Sequence, residues 1–269
     1  MTESYYELVD PDDPVGERLR CTDLVRSTWT ADIQHGAPPS ALLVRALERC
    51  EPRADARLSR VLVDLLGPVP VAEPLWLRAR RERAGRRIEL VSAELLAPGP
   101  DGAPRPVARA SGWRLQTLDT AALVHAPDPP LRPPAEGRDL DLGKHWDRNY
   151  LHSVEWRWLT RPLNDGAGES WLRPFVDVVK GEPLTPLQRL FAVADCANGI
   201  GTRLDTRDWT FLNTDLVVHL HRVPAGEWIG VRAETAYGPD GIGATLGTLY
   251  DETGPCAAIQ QSVLVRPRR

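Results

Sequence analysis

Apolar and polar positions alternate with a period of two over much of this 269-residue chain. Ile88 to Leu95 and Val154 to Trp158 show it most cleanly, and such alternation marks half-buried antiparallel strands. On this pattern strands are expected at 58–66, 75–83, 86–97 and 107–118. A second group follows at 154–158, 171–179, 209–221, 227–237, 242–250 and 256–265. Two stretches carry helical spacing instead. In Pro39 to Arg49 the apolar residues recur every three to four positions, and Pro39 suits a first helical turn, where no backbone donor is needed. The other runs from about Pro186 to Asn198 and is stopped by Gly199 and Gly201. Turn-forming residues at Val223–Gly226, Gly238–Gly241 and Thr253–Pro255 separate the last four strands.

Each half therefore reads as one helix followed by an antiparallel sheet. Between them the pattern lapses into a stretch rich in proline, glycine and charge, of the kind that buries too little apolar area to fold alone. The division expected is an N-terminal repeat at 1–122, a linker at 123–150 and a C-terminal repeat at 151–269.

Composition then removes several function classes. Apolar residues make up 42% of the chain, enough for a sizeable core, and the net charge of −4 leaves no basic footprint for nucleic acid. The acidic start has no apolar signal segment, and no run of about 18 apolar residues exists to span a membrane. Cys21, Cys50, Cys196 and Cys256 form no paired spacing, which argues for reduced thiols, a cytoplasmic setting and no zinc site. His219 and His221 share a strand face but lack a third ligand, so a strand-edge polar pair is the plainer reading. Ser40, Ser111 and Ser262 stand outside any nucleophile-elbow context. Neither a metal nor an organic cofactor is expected. The arginine-rich stretch 78–87 could attract phosphates, though a solvated strand face explains it as well.

Several segments, taken in order, resemble the two-hot-dog acyl-CoA thioesterases, the TesB-like group and its actinobacterial relatives. They are Trp171 to Arg173, Gly181 to Leu187, Ala194 to Gly199, Asn213 to Arg222 and Gln260 to Arg266. In the first half Trp29 to Leu43 and Asp64 to Pro70 are similar to the same family. The resemblance implies an α+β double hot-dog, two antiparallel sheets each wrapped round a central helix and joined edge to edge. It implies an acyl-CoA or acyl-carrier-protein thioester as substrate, in lipid or polyketide metabolism, and hydrolysis by a water held between an acid, a hydroxyl and a glutamine. Carried onto this chain, the acid is Asp195, the hydroxyl partner falls at Asn213 or Thr214, and the glutamine is Gln261 or Gln260. The segment His35, Gly36, Ala37 is the candidate for holding the thioester carbonyl.

These residue types suit that chemistry. A carboxylate can serve as general base toward water, and Asp195 interrupts an otherwise apolar helix. Thr214 and Gln261 can each donate and accept hydrogen bonds, and backbone N–H groups at a helix start can stabilise an oxyanion. An aspartate near a helix end can equally face solvent, and Asn213 to Asp215 can equally be a turn. Gln260 and Gln261 point to opposite strand faces, and the spacing to Arg266 favours Gln261. In the family the hydroxyl stands where Asn213 stands here, and one step along a strand reverses a side chain's face. The first half has no matching acid, with Ala110 or Ser111 in place of the glutamine, which points to a single site. Trp29, Trp113 and Trp158 are candidates for an acyl tunnel. Two other functions fit the same fold. One is a hydratase or dehydratase using His35, and the other is a non-catalytic acyl-thioester binding protein. A monomer and a homodimer are both compatible with edge pairing of such units.

Overall fold

The computed structural model describes residues 3–72, 74–139 and 149–268. The N-terminal half contains β1 (Ser4–Asp10), β2 (Glu17–Cys21), α1 (Ala37–Arg49), β3 (Ala56–Leu65), β4 (Leu75–Arg83), β5 (Ile88–Pro98) and β6 (Pro104–Gln116). The C-terminal half contains β7 (Val154–Trp158), β8 (Gly168–Pro174), β9 (Asp177–Val179), α2 (Pro186–Ala194) and α3 (Ala197–Ile200). Then follow β10 (Trp209–Asn213), β11 (Asp215–Leu220), β12 (Ile229–Tyr237), β13 (Ile242–Asp251) and β14 (Gly254–Pro267). All the strands join one continuous hydrogen-bonded sheet. Its path is β7-β8-β12-β13-β14-β11, then β3-β6-β5-β4-β2-β1-β9, with β10 on β14. The halves meet where β11 pairs antiparallel with β3, Val217 opposite Leu62.

Most expected elements are present with small shifts at their ends, but the stretch expected as one strand at 171–179 is two, β8 paired with β7 and β12 and β9 paired with β1. Two differences bear on the site. The stretch expected as one strand at 209–221 is broken at Thr214. Between the pairs Asn213–Val263 and Val217–Gln260, three residues on this side oppose two on β14, which is a β-bulge. The expected helix through Asn198 ends at Ala194, and a turn at Asp195 and Cys196 precedes the short α3. Two strands were not expected at all, β1 and β2. Tyr5 and Tyr6 are both buried, so β1 does not alternate, and its parallel partner β9 lies far along the chain.

Helices α1 and α2 pack side by side and antiparallel. The orientation is shown by their ends. Glu48, in the last turn of α1, accepts from Thr185 Oγ1 and Gln188 Nε2 at the start of α2, the latter at 2.8 Å. Asp195, at the end of α2, sits against Gly36 at the start of α1. Residues 37–47 of α1 are buried throughout, including Arg45. Arg45 is 1% exposed and is held by Glu17 of the first half and Glu182 of the second, so it ties the halves together. The carbonyls at the end of α1 would be orphans. Arg114 satisfies Leu47, Cys50 and Glu51 among them and is itself paired with the buried Glu89.

The expected connector at 123–150 is described up to 139 and from 149, and 140–148 lie outside the described residues. Its described part lies on the C-terminal half, where Trp171 Nε1 donates to Arg132 O at 2.7 Å and Arg138 bridges to Trp158. Among the described residues no helix is long and apolar enough to cross a membrane.

Candidate active site

Antiparallel helices bring each N-terminus to the other helix's last turn, and Asp195 stands at one of these two meetings. Its carboxylate is 5% exposed, yet it lines a cavity of about 600 Å³. Asn213 Nδ2 donates to Asp195 Oδ1 at 2.7 Å, a charge-assisted bond of the short kind. Asn213 Nδ2 also reaches Asp215 O at 3.3 Å, while its own Oδ1 accepts from Asn198 Nδ2 at 3.4 Å. Asn198 thus orients the Asn213 amide so that its NH₂ faces the carboxylate. On the backbone, Gln261 Nε2 donates to Asp195 O at 3.2 Å. Oδ2 accepts no hydrogen bond among the described residues, and its near neighbour is His35 Nδ1 at 3.3 Å.

The bulge explains the placement of Asn213 and Thr214. Reversing faces at one extra residue turns Asn213 inward to Asp195 and Thr214 outward, where it is exposed at the cavity rim. Among the described residues Thr214 Oγ1 donates only to Asp215 Oδ1, at 3.3 Å. Its backbone is tied to both neighbours, Thr214 N to Ser262 O at 3.0 Å and Leu65 N to Thr214 O at 2.8 Å. Gln261 is buried at 3% and is not among the residues lining the cavity, whereas Gln260 faces outward. Gln261 therefore holds the acid's backbone.

Across the cavity wall, the loop before α1 is pinned on both sides. Gln34 N donates to Val69 O and His35 N to Val25 O, both at 2.8 Å, and Tyr6 Oη donates to Gln34 Oε1 at 2.6 Å. Gly36 must be glycine for space. A Cβ there would lie 2.6 Å from both carboxylate oxygens of Asp195. The first turn of α1 presents few free donors because Pro38 and Pro39 have no N–H. Ala37 N–H donates to His35 Nδ1 at 3.1 Å. Among the described residues Gly36 N–H has no acceptor, so it is the open donor of this helix start.

Beneath His35 the site is neutral. Its ring stacks on Tyr150 at 3.9 Å between centroids, and Tyr150 Oη donates to Ala192 O and contacts Cys196 Sγ. Burial pushes the Tyr150 phenol and the Cys196 thiol well above their ordinary ranges, so neither ionises near neutral pH. Burial also lowers the His35 pKa below 6.5, outweighing the pull of the Asp195 charge. The rest of the cavity is mostly apolar, with Trp29, Trp156, Trp158, Leu151, Val69 and Phe211 among its lining, but Thr202, Asp205 and Arg207 line it too. Trp113 is not part of it, and Trp156 was not foreseen.

The first half does carry an acid in the matching place, contrary to expectation. Glu48 ends α1 as Asp195 ends α2, but its carboxylate is taken up by Thr185 and Gln188 and it does not line the cavity. His221 Nε2 lies 3.0 Å from Pro255 O, in keeping with a strand-edge role. Arg78, Arg80 and Arg81 pair with Glu94, Glu82 and Glu51, away from the cavity.

Comparison with known proteins decides the family. The profile of the acyl-CoA thioesterase C-terminal domain matches residues 128–265, more than half the chain, and that of the N-terminal domain matches residues 25–115. The chain belongs to the acyl-CoA thioesterase family. It is a hydrolase of acyl thioesters. Solved structures share its hot-dog fold at low identity. A conserved hot-dog protein of unknown function from Alicyclobacillus acidocaldarius is 15% identical, with TM-score 0.73 and coverage of 96% of this chain and 95% of that one. An acyl-CoA thioesterase II, TesB2, from Mycobacterium marinum is 16% identical, with TM-score 0.66 and coverage of 98% and 96%. The TesB protein of Mycobacterium avium subspecies paratuberculosis is 16% identical, with TM-score 0.63 and coverage of 93% of each chain. No curated protein matches the sequence.

Proposed function

We propose that Asp195 activates a water for attack on the thioester carbonyl, with Asn213 and Gln261 fixing the acid and Gly36 N–H receiving the oxyanion. One observation carries this reading. A buried carboxylate with one oxygen bonded to Asn213 and the other unclaimed among the described residues lines a mostly apolar cavity beside an open helix N-terminus. The unclaimed Oδ2 is the oxygen that takes a proton from water. The water oxygen bonds to the carbonyl carbon, the C–S bond breaks, and the departing thiolate recovers the proton from Asp195. Asn213 takes the place that the resemblance gives to a hydroxyl, and Thr214 stays at the rim. Ala37 contributes through His35, which its N–H holds in place.

We read the chain as a double hot-dog of two repeats, 1–122 and 151–269, joined by the connector 123–150, with one working site. The substrate is an acyl-CoA or an acyl-carrier-protein thioester whose acyl chain lies among Trp29, Trp156 and Trp158.

The contact between His35 Nδ1 and Asp195 Oδ2 at 3.3 Å favours a second reading, an acid–base pair adding water across an enoyl thioester. One assay separates the two. The full-length protein is given a panel of saturated and 2-enoyl acyl-CoAs, and thiol release and loss of enoyl absorbance are followed together. Thiol release from saturated substrates supports hydrolysis. Loss of enoyl absorbance without thiol release supports the second reading and defeats the first.

A further inference from the structure

We propose that His35 works as a neutral imidazole protonated at Nε2, donating that N–H to the thioester carbonyl beside the Gly36 N–H. The inference rests on the hydrolase reading and assigns the ring a role opposite to that of a base. Three observations lead to it. First, Ala37 N–H, at the start of a 13-residue helix, donates to His35 Nδ1 at 3.1 Å. A ring nitrogen that accepts a hydrogen bond in the ring plane carries no proton, so in the neutral ring the proton is on Nε2. Second, Nδ1 lies 3.3 Å from Asp195 Oδ2 without making a hydrogen bond to it among the described residues, so Nδ1 does not act as a donor there. Third, the ring is fixed. Tyr150 covers one face at 3.9 Å, His35 N is held by Val25 O, and the side chain is 15% exposed while lining the cavity.

The surroundings keep the ring neutral. The titratable groups facing it are Asp195 from the end of α2, Tyr150 and Cys196 below, and Tyr6 through Gln34. Burial keeps Tyr6, Tyr150 and Cys196 uncharged, which leaves Asp195 as the nearby charge. That charge favours protonation of His35, but burial and the positive end of α1 oppose it, and burial is the larger effect. A neutral imidazole held by a helix N-terminus is a good donor to a developing oxyanion, since it gives a hydrogen bond without giving up its proton. With the first turn of α1 reduced to one open N–H by two prolines and by His35 itself, a second donor is what the site otherwise lacks.

The test reads the ring directly. The full-length enzyme, ¹⁵N-labelled, is observed by long-range ¹H–¹⁵N correlation near pH 7.5, with His35 assigned by the loss of its signals in His35→Gln. The inference expects an unprotonated Nδ1 and a protonated Nε2, with the Nε2 signal moving when a ketone analogue of an acyl-CoA binds. An Nδ1-protonated ring or an imidazolium would overturn it and favour the acid–base reading. In parallel, His35→Ala should lower kcat about 100-fold with little change in KM, the cost of losing one oxyanion donor. His35→Gln, which keeps an N–H donor, should recover part of that loss. Wild-type kcat in His35→Ala would overturn the role even if thiol release still depends on Asp195. If the wild-type protein releases no thiol, the hydrolase reading fails separately and the ring signals still report the tautomer.

Discussion

Replacing Gly36 by alanine probes the join between the two halves where the acid sits. The backbone of Gly36 is in the ordinary right-handed helical region, so alanine brings no conformational strain there. The effect comes from volume. The new Cβ would stand 2.6 Å from both oxygens of Asp195 and 2.7 Å from its Cγ, against the 3.4 Å of ordinary contact. One side must yield by about 0.8 Å, and neither is loose. Asn213 and Gln261 hold the acid, while Gln34, His35 and Ser40 hold the loop and helix start. A displacement near 1 Å in a reacting group costs about 100-fold in rate, or about 2.7 kcal/mol of transition-state stabilisation. Overpacking of this kind also costs about 1–3 kcal/mol of stability, a fall in Tm of about 2–4 °C per kcal/mol for a chain of this size. Steady-state thiol release and a thermal melt of Gly36→Ala measure both. Wild-type kcat/KM together with a wild-type Tm would refute the placement of Asp195 against the start of α1.

The same geometry sets three other outcomes. Asn213→Ala should lower kcat by at least about tenfold, since it removes a charge-assisted bond worth about 1.5–3 kcal/mol, whereas Thr214→Ala should leave kcat near wild type. The reverse pattern in thiol-release kinetics would show that the bulge turns the other residue inward. Gln261→Ala removes one neutral hydrogen bond to the acid's backbone, so kcat should fall about fivefold with KM unchanged. A large rise in KM instead would mean that Gln261 touches the substrate. Asp251 is buried, which alone would raise its pKa, but bonds from Arg222, Thr253 and the Ala225 N–H overcome this and hold it well below the usual range. A depressed carboxylate gives stability that is present above pH 3.8 and is lost as pH falls toward the folded-state pKa. Asp251→Asn should therefore cost about 1.5–3 kcal/mol at pH 7 and flatten the acid limb of the stability profile, and an unchanged limb in acid titrations would contradict this.

Most of the sheet is legible because its strands are half-buried and alternate, as β12 and β14 do. What escaped depends on distant partners. β1 buries two adjacent tyrosines between elements of both halves, which erases the period-two signal. The bulge at Thr214 depends on how β10 and β11 meet β14 and β3, and no local feature of Asn213 and Thr214 announces one extra residue. Asp195 was legible as a charge in an apolar helix, but its partners were less so. Gln261 was foreseen at the site, yet it bonds to the backbone carbonyl. Asn198, two residues beyond the break in the helix, reads in the sequence only as part of the helix end, because its contact with Asn213 depends on how α3 meets β10. Glu48 was missed because its likeness to Asp195 lies in the antiparallel packing of two helices and not in any shared motif.

The central claim is that the Asp195 carboxylate is the base for thioester hydrolysis. Asp195→Asn keeps the size of the side chain and removes its basicity, so kcat/KM for thiol release from the best acyl-CoA isolates that role. A fall of at least about 100-fold, with an unchanged thermal melt, is the result expected for loss of a general base. Wild-type kcat/KM in Asp195→Asn would contradict the account and move the chemistry to another residue of the cavity.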